Sequence, residues 1–200
     1  MPTGVLALVI AYLLGSIPSG YLAARALTGT DVRAQGSGAT GATNVRRLLG
    51  TRWGIAIAVV DVLKGVAAVL VARQLTGADI WPALAGTLAI VGHCWPAWLG
   101  FRGGKGVATA GGAAIALSLW ALLLLPMIVV VVAFSRYVSL GSLLAAVAGV
   151  VVFGALALTG HGPGWNVVFA LAGLLVIAGK HRGNIARLRD GTERRLGRTA

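Results

Sequence analysis

Residues 100–109, GFRGGKGVAT, combine glycine with cationic side chains in a pattern that binds phosphate. Gly103 and Gly104 let the backbone approach an anion closely, and Lys105 adds a point charge. Gly106 then leads into an apolar run, and the N–H groups at a helix start favour negative charge. A plain basic loop would need the lysine but not the glycines, so this segment predicts an anion-binding loop.

A second segment with similar chemistry is QGSGATGATNVRR, residues 35–47. Consecutive backbone N–H groups in a glycine-rich turn form a concave anion site, and a nearby arginine can clamp phosphate through two hydrogen bonds. No Gly-Lys-Ser/Thr follows the glycines, so the segment is not a Walker A loop. A polar surface loop is the alternative. The predicted phosphate-binding residues are Gly36, Gly38, Thr43 and Asn44.

The third segment is KHRGNIARLRDGTERRLGR, residues 180–198. His181, Asn184 and Arg187 recur at a spacing of three residues, which places them on one face of a short helix. A basic tail that only contacts anionic lipids is the alternative for this segment alone. Three such segments on one side of a helical bundle predict a site for two anionic substrates at the inner membrane surface. Arg187 is predicted to bind phosphate in this site.

Three further polar residues are predicted to support this site. Asp61 and Lys64 lie three residues apart within an apolar run, so we expect a structural ion pair on one helix face. His93 precedes Pro96 near the end of another run and is predicted to orient the 100–106 loop, with contact to substrate as the alternative. No group of His, Asp or Glu residues has the spacing of metal ligands, so no metal is expected.

The composition indicates an all-α, polytopic membrane protein. The chain has 200 residues, of which 58% are hydrophobic and 11% charged, and its mean hydropathy is +0.88. This is too apolar for a soluble domain. The net charge of +12 comes from cations at the ends of apolar runs, which indicates a membrane surface or anionic substrates and no nucleic acid. Residues 1–200 are predicted to form one domain.

Apolar runs long enough to cross a membrane predict the spans, and the positive-inside rule predicts their orientation. The basic segments 28–52, 100–106 and 180–200 should all lie in the cytoplasm. Six apolar runs cannot achieve this, because an odd number of crossings would separate the last two basic segments. The runs are 4–27, 53–75, 82–99, 107–134, 138–159 and 164–179.

The run 107–134 is therefore predicted to hold two crossings. A single helix of that length would measure about 42 Å, against a hydrocarbon core of about 30 Å, and Pro126 interrupts it. A split near Leu125 gives seven transmembrane helices, with the N-terminus outside and the C-terminus in the cytoplasm. Lys64 and Arg73 are then the only cations away from the inner face. One tilted helix is the alternative.

Several segments together resemble a known family, the bacterial acyl-phosphate:glycerol-3-phosphate acyltransferases (PlsY family). The similarity runs from about Gly15 to Glu193, and its motifs are GSIPSGYLAAR, GSGATGATNVRR, DVLKG, GHCWPAWLGFRGGKGVAT and HRGNIARLRDGTE. The resemblance implies seven spans in the bacterial plasma (inner) membrane and an active site on the cytoplasmic face. It also implies transfer of a fatty acyl group from acyl phosphate to glycerol 3-phosphate, giving lysophosphatidic acid and phosphate without a cofactor.

The resemblance also implies which residues act. Ser37 and Arg47 would belong to the phosphate site of the first loop, Lys105 to that of the second, with His181 and Asn184 from the third. The chain departs from the family at Ala39, where the family usually has Asn. Expected partners are both substrates, membrane lipids and the enzyme that forms the acyl phosphate.

The sequence leaves the proton acceptor open between His181 and an oxygen of a substrate phosphate. Two other functions also suit a glycine-rich bundle with basic loops: a transporter for an organic phosphate and a scaffold that binds anionic lipid. The charged residues lie at one surface and not at the midplane, where transporter sites usually lie, which favours the enzyme.

Overall fold

The structure is a computed structural model that describes residues 2–197, so Arg198, the end of the third basic segment, lies outside the described residues. The described chain is all-helical. The helices are α1 (Pro2–Gly15), α2 (Ser19–Thr28), α3 (Ala42–Leu49), α4 (Thr51–Leu75), α5 (Ile80–Cys94), α6 (Val107–Leu117), α7 (Leu124–Ser135), α8 (Val138–Leu158), α9 (Trp165–Lys180) and α10 (Arg182–Arg189). Within the described part of the chain, three stretches are long and apolar enough to span a membrane: Pro2–Thr28, Thr51–Leu75 and Val138–Leu158.

The first predicted span is broken between α1 and α2, at the sequence Ser-Ile-Pro. The ion pair of α4 holds this break together. Asp61 and Lys64 lie 2.9 Å apart, which confirms the predicted pair. The Lys64 ammonium also donates to the carbonyl of Ile17 at 3.1 Å, and the Ser19 hydroxyl donates to Asp61 at 2.7 Å. The pair thus satisfies backbone and side-chain groups that the break would leave without partners.

The run 107–134 is divided into α6 and α7, so the single tilted helix is wrong. The break begins at Ser118, whose backbone is extended, and continues as a short 3-10 turn. We expected the break near Leu125, but the helix continues through that position. Pro126 lies in the first turn of α7, where a missing N–H costs no hydrogen bond. Arg73 of α4 donates to the carbonyl of Leu117 at 3.1 Å and so caps the end of α6.

Close approach of small residues builds the interior of the bundle. On α4, a Cβ at Gly65 would overlap the carbonyl oxygen of Thr109, and on α6, a Cβ at Gly112 would overlap that of Val62. These reciprocal contacts bring the backbones of α4 and α6 together, as is usual for helices in lipid. Many large apolar side chains are exposed on the outside of the bundle, and α7 has no buried residue at all. The bundle therefore presents apolar bulk to lipid and leaves room for polar groups at one end.

Candidate active site

A cavity of about 420 Å³ lies at one end of the bundle, where the three predicted segments meet. It is lined by the starts of α3, α6 and α8 and by α10. Of the predicted site residues, those that line it are Gly36, Ser37, Thr43, Asn44, Arg47, Asp61, His93, Lys105, Gly106, His181, Asn184 and Arg187. The structure thus brings together residues from segments far apart in the chain.

A chain of polar contacts crosses this cavity. The ammonium of Lys105 donates to the side-chain oxygen of Asn184 at 2.5 Å. The amide nitrogen of Asn184 donates in turn to Glu193 at 2.6 Å. Glu193 also accepts from Ser139 of α8 at 2.8 Å and from Arg187 at 2.8 Å. The carboxylate thus connects α8, α10 and, through Asn184, the 100–106 loop.

Glu193 is the main residue that sequence reasoning missed. Its side chain is only 6% exposed, although it is followed by two arginines in a polar tail. Burial alone would raise the pKa of Glu193, but the hydrogen bonds from Asn184, Ser139 and Arg187 hold that pKa below its ordinary value. The carboxylate therefore stays ionised. The available signal was its rarity, because the chain has only five acidic residues.

The cations of the cavity are left without enough negative charge. Among the described residues, Arg47, Lys105 and Arg194 form no salt bridge, while Arg187 is paired with Glu193. Burial lowers the pKa of the Arg47 guanidinium, and repulsion from Arg194 adds to this. Cations held close together without counter-ions indicate a site that binds anions.

Lys105 is the most strongly perturbed of these cations. Burial lowers the pKa of Lys105 to about 8, and although Glu193 opposes the change, Arg187 and Arg47 add to it. Lys105 is therefore protonated at neutral pH and loses its charge as the pH rises through about 8. A bound dianion would favour the charged form and raise this pKa again.

His181 is buried at the junction of α9 and α10 and faces the cavity. Its Nδ1 lies 2.8 Å from the carbonyl oxygen of Ile177, so Nδ1 carries the proton and Nε2 has a free lone pair. Burial lowers the pKa of His181 to about 4, and the charge of Lys105 contributes to this. The imidazole is therefore neutral near pH 7 and a weak proton acceptor.

Asn44 has a different role from the predicted phosphate contact. Its amide nitrogen donates to the carbonyls of Val32, Gln35 and Ala39, and its oxygen accepts from the N–H of Ser37 at 3.0 Å. All of its polar atoms are thus used in folding the 35–39 loop. We assign Asn44 to positioning Ser37 at the rim of the cavity.

Gly103 and Gly104 also differ from expectation, because their N–H groups are already paired. They donate to the carbonyls of Cys94 and His93, at 3.3 and 3.0 Å, and so cap the end of α5. A Cβ at either position would overlap atoms of His93. The two glycines therefore let the loop pack against α5, which fixes Lys105. Gly38 donates to Gln35 in a turn and, like both of them, does not line the cavity.

Two helix starts supply the free N–H groups that the glycines do not. Thr43 lies in the first turn of α3, and Val107 and Ala108 lie in the first turn of α6, all lining the cavity. N–H groups in a first turn have no partner within the helix and favour anions. Gly106 precedes α6 with a φ of +79°, a conformation that suits glycine. Its predicted position at a helix start is confirmed.

Asp61 and His93 form the floor of the cavity. The Nδ1 of His93 lies 3.6 Å from Asp61 and 3.2 Å from the hydroxyl of Thr109. Lys64 pairs with Asp61 but does not line the cavity. These residues connect the break between α1 and α2 with the 100–106 loop, and their supporting role stays a prediction.

Two further spaces adjoin the polar cavity. On one side lies a basin of about 1120 Å³ lined by Arg46, Arg194 and Arg195, which shares Arg47 and Glu193 with the cavity. On the other side lies a narrow cleft of about 80 Å³ between α6, α7, α8 and α9, whose lining is almost wholly apolar. The lining residues that the cleft shares with the cavity are Val107, Ile128 and Ser142.

This arrangement can bind one ligand with an apolar chain and an anionic head beside a second, water-soluble anion. Opposed phosphate groups repel each other, and the cations and helix starts of the cavity would offset that repulsion. In residues 2–197, no group of three or more His, Cys, Asp or Glu residues is placed to hold a metal ion.

Comparison with known proteins gives a consistent match over almost the whole chain. The family model described as glycerol-3-phosphate acyltransferase matches residues 5–191. A glycerol-3-phosphate acyltransferase of Prochlorococcus marinus (strain MIT 9313) is 46% identical over 196 residues, covering 98% of this chain and 96% of the relative. A glycerol-3-phosphate acyltransferase of Geobacter sulfurreducens is 47% identical over 188 residues, covering 94% of each.

A solved structure has the same fold. It is that of PlsY (YgiH), an integral membrane glycerol 3-phosphate acyltransferase, in its glycerol 3-phosphate form. It superposes with a TM-score of 0.89 at 38% identity, over 97% of this chain and 96% of that one. The lysophosphatidic acid form of PlsY gives a TM-score of 0.86.

Proposed function

This chain belongs to the glycerol-3-phosphate acyltransferase family of integral membrane enzymes, and from that premise we propose that its acyl donor is an acyl phosphate. The reaction moves the acyl group to a hydroxyl of glycerol 3-phosphate and yields 1-acyl-glycerol 3-phosphate (lysophosphatidic acid) and phosphate. This is the first acylation step of phospholipid synthesis.

One observation carries this proposal: the cationic cavity joins a basic basin on one side and an apolar cleft on the other. Glycerol 3-phosphate is small, anionic and soluble, so it suits the basin. The acyl phosphate has an apolar chain and a phosphate head, so its chain suits the cleft and its head suits the cavity. The two substrates then meet near Lys105, and lysophosphatidic acid can leave along the cleft into lipid.

The cavity residues divide into binding and positioning roles. Lys105, Arg47 and Arg187 neutralise the two phosphates, and the N–H groups at the starts of α3 and α6 hold phosphate oxygens. Ser37 lies at the rim, where its hydroxyl can bind phosphate. Asn184 positions Lys105. His181 is the alternative proton acceptor.

The chemistry needs no covalent enzyme intermediate. The hydroxyl oxygen of glycerol 3-phosphate attacks the acyl carbonyl carbon, the bond from that carbon to the phosphate oxygen breaks, and the phosphate leaves with the electron pair. The hydroxyl proton passes to an acceptor in the cavity. Positioning and charge neutralisation carry the catalysis, because an acyl phosphate is already an activated anhydride. A labelled acyl group that stayed on the denatured protein would contradict direct transfer.

The proton acceptor is a substrate phosphate oxygen, with His181 as the alternative. The pKa of His181 is lowered to about 4, whereas the second pKa of a phosphate monoester is about 6. His181 is therefore the weaker base. No described carboxylate contacts His181 to strengthen it.

Activity should therefore fall as the pH drops through about 6, where the substrate phosphate takes up its second proton. If His181 were the obligatory base, the fall would come at about 4 instead. The measurement is the pH profile of kcat/KM for glycerol 3-phosphate, which reports the free enzyme and free substrate, for the wild type and His181→Ala. We expect the limb near 6 in both proteins. A variant that binds both substrates but has no turnover would reinstate His181 as the base.

The affinity for glycerol 3-phosphate should fall as the pH rises through about 8. The free enzyme loses the charge of Lys105 there, and kcat/KM reports the free enzyme. In Lys105→Arg the guanidinium stays charged, so the alkaline limb should disappear even if KM changes. The measurement is kcat/KM for glycerol 3-phosphate against pH in both proteins. A limb that stayed at 8 in the variant would assign it to another group.

We also propose seven membrane spans within one domain, residues 1–200, in the bacterial inner membrane. The N-terminus then lies outside, and the active site and C-terminus lie in the cytoplasm. Support comes from the starts of α6 and α8, which line the same cavity, so the chain leaves and returns to one end of the bundle. Reporter fusions at Lys105 and after the C-terminus should face the same compartment; opposite compartments would contradict the topology.

The purified protein with palmitoyl phosphate and glycerol 3-phosphate tests the function directly. We expect stoichiometric release of phosphate and lysophosphatidic acid, which neither a phosphate transporter nor a lipid-binding scaffold would produce. Palmitoyl-CoA in place of the acyl phosphate is the control for the donor. Activity with the thioester alone would contradict the proposed donor while leaving the acyltransferase class intact. The enzyme that forms the acyl phosphate is the expected upstream partner.

A further inference from the structure

Small residues line the middle of the apolar cleft on three helices. They include Ala110 and Gly111 on α6, Ala145 and Gly149 on α8, and Gly173 on α9. Such residues leave a channel between packed helices without interrupting them. α7 forms the remaining wall and has no buried residue, so a chain in the cleft lies with one side towards lipid.

Two aromatic rings close the far end of this cleft. Phe153 of α8 and Phe169 of α9 meet edge to face, with ring centroids 6.0 Å apart and planes at 89°. Their side chains are 1% and 4% exposed. Behind them, a Cβ at Gly86 of α5 would lie 3.0 Å from the ring of Phe169, so no space is left for that ring to retreat. The rings form a firm end wall, since packed interiors resist such shifts.

The distance from the polar cavity to these rings matches a lipid chain. Ser142 lines both the cavity and the cleft, and Phe153 follows eleven residues later on the same helix. At about 1.5 Å per residue this is about 16 Å, close to half of the hydrocarbon core of about 30 Å. An acyl chain with its phosphate head in the cavity therefore reaches the rings at about the length of one leaflet.

We propose that Phe153 and Phe169 set the longest acyl chain that this enzyme uses efficiently. The inference rests on the proposed function, since the occupant of the cleft is the acyl chain of the donor. A chain that ends before the rings gains binding with each methylene, and a longer chain must bend out towards lipid. Phe153 and Phe169 are thus specificity-determining residues remote from the chemistry.

The test measures kcat/KM for dodecanoyl, hexadecanoyl and icosanoyl phosphates with saturating glycerol 3-phosphate. Phe153→Ala should raise the icosanoyl-to-hexadecanoyl ratio about tenfold relative to wild type, because each newly buried methylene contributes about fourfold and we expect one to two of them to enter the space of the lost ring. Gly149→Leu should raise the dodecanoyl-to-hexadecanoyl ratio by at least about tenfold. Its side chain enters the cleft, where an ideal Cβ lies 3.7 Å from the nearest atom, on Leu124.

Gly154→Leu is the matched control on the same helix. Gly154 does not line the cleft, and nothing lies within 4 Å of a Cβ there, so its chain-length ratios should equal those of wild type. If Phe153→Ala does not fold, Gly149→Leu decides. Unchanged ratios in an active Gly149→Leu enzyme would overturn the proposed limit on chain length. A wild type inactive with all three donors would instead overturn the proposed function, and this inference with it.

Discussion

Replacing Lys105 by alanine should lower kcat/KM about a thousandfold, because the variant loses the one lysine that lines the cavity within residues 2–197. Removing a single preorganised group that stabilises transition-state charge typically costs a hundred- to thousandfold. In the proposed reaction Lys105 neutralises two phosphates that repel each other, which places the expected effect at the upper end of that range. The bundle should stay folded, since the side-chain hydrogen bond lost is the one to Asn184.

Arg102→Ala is the control for this prediction. Arg102 lies in the same loop and adds the same charge, but it is exposed and does not line the cavity. Steady-state kinetics of both variants, with thermal denaturation to check folding, separates the role of position from that of charge. Comparable activity in Lys105→Ala and Arg102→Ala would remove Lys105 from the site.

Replacing Glu193 by alanine should impair both stability and activity. The change leaves the amide of Asn184 and the hydroxyl of Ser139 buried without a partner, and it releases Arg187. Each buried group left without a hydrogen bond costs about 1–3 kcal/mol, so we expect a loss of about 3 kcal/mol and a thermal midpoint lower by roughly 10 °C. Activity should fall at least about a hundredfold, because Lys105 loses the support of Asn184.

Glu193→Gln and Asp190→Asn complete this experiment. Glutamine keeps an oxygen for Asn184 or Ser139 but cannot pair with Arg187, so this variant should lie between wild type and alanine. Asp190 is an exposed carboxylate of the same segment, and Asp190→Asn should behave as wild type. A Glu193→Ala protein with a normal thermal midpoint would show that the carboxylate does not hold the tail in place.

Local chemistry explains which parts of the site could be predicted from the sequence. The charges of Arg47 and Lys105 can be read from residue type alone. The three-residue spacing of His181 and Asn184 places them on one face of a helix. The pairing of Asp61 with Lys64 was also predictable, because helical geometry puts residues three apart on one face. The roles of Gly103, Gly104 and Asn44 were not, because sequence does not reveal which N–H groups are already paired.

The sequence by itself determined the class of this protein: an all-helical membrane protein with its cations gathered on three polar segments, whose motifs resemble an acyltransferase family. Composition and charge asymmetry are sums over many residues, so they do not depend on any particular contact. Only the tertiary structure decided how the site is built. The break at Ser118, the burial of Glu193 and the cleft that ends at Phe153 all depend on which groups from distant helices meet, and hydrogen-bond partners and packing space exist only once the chain has folded.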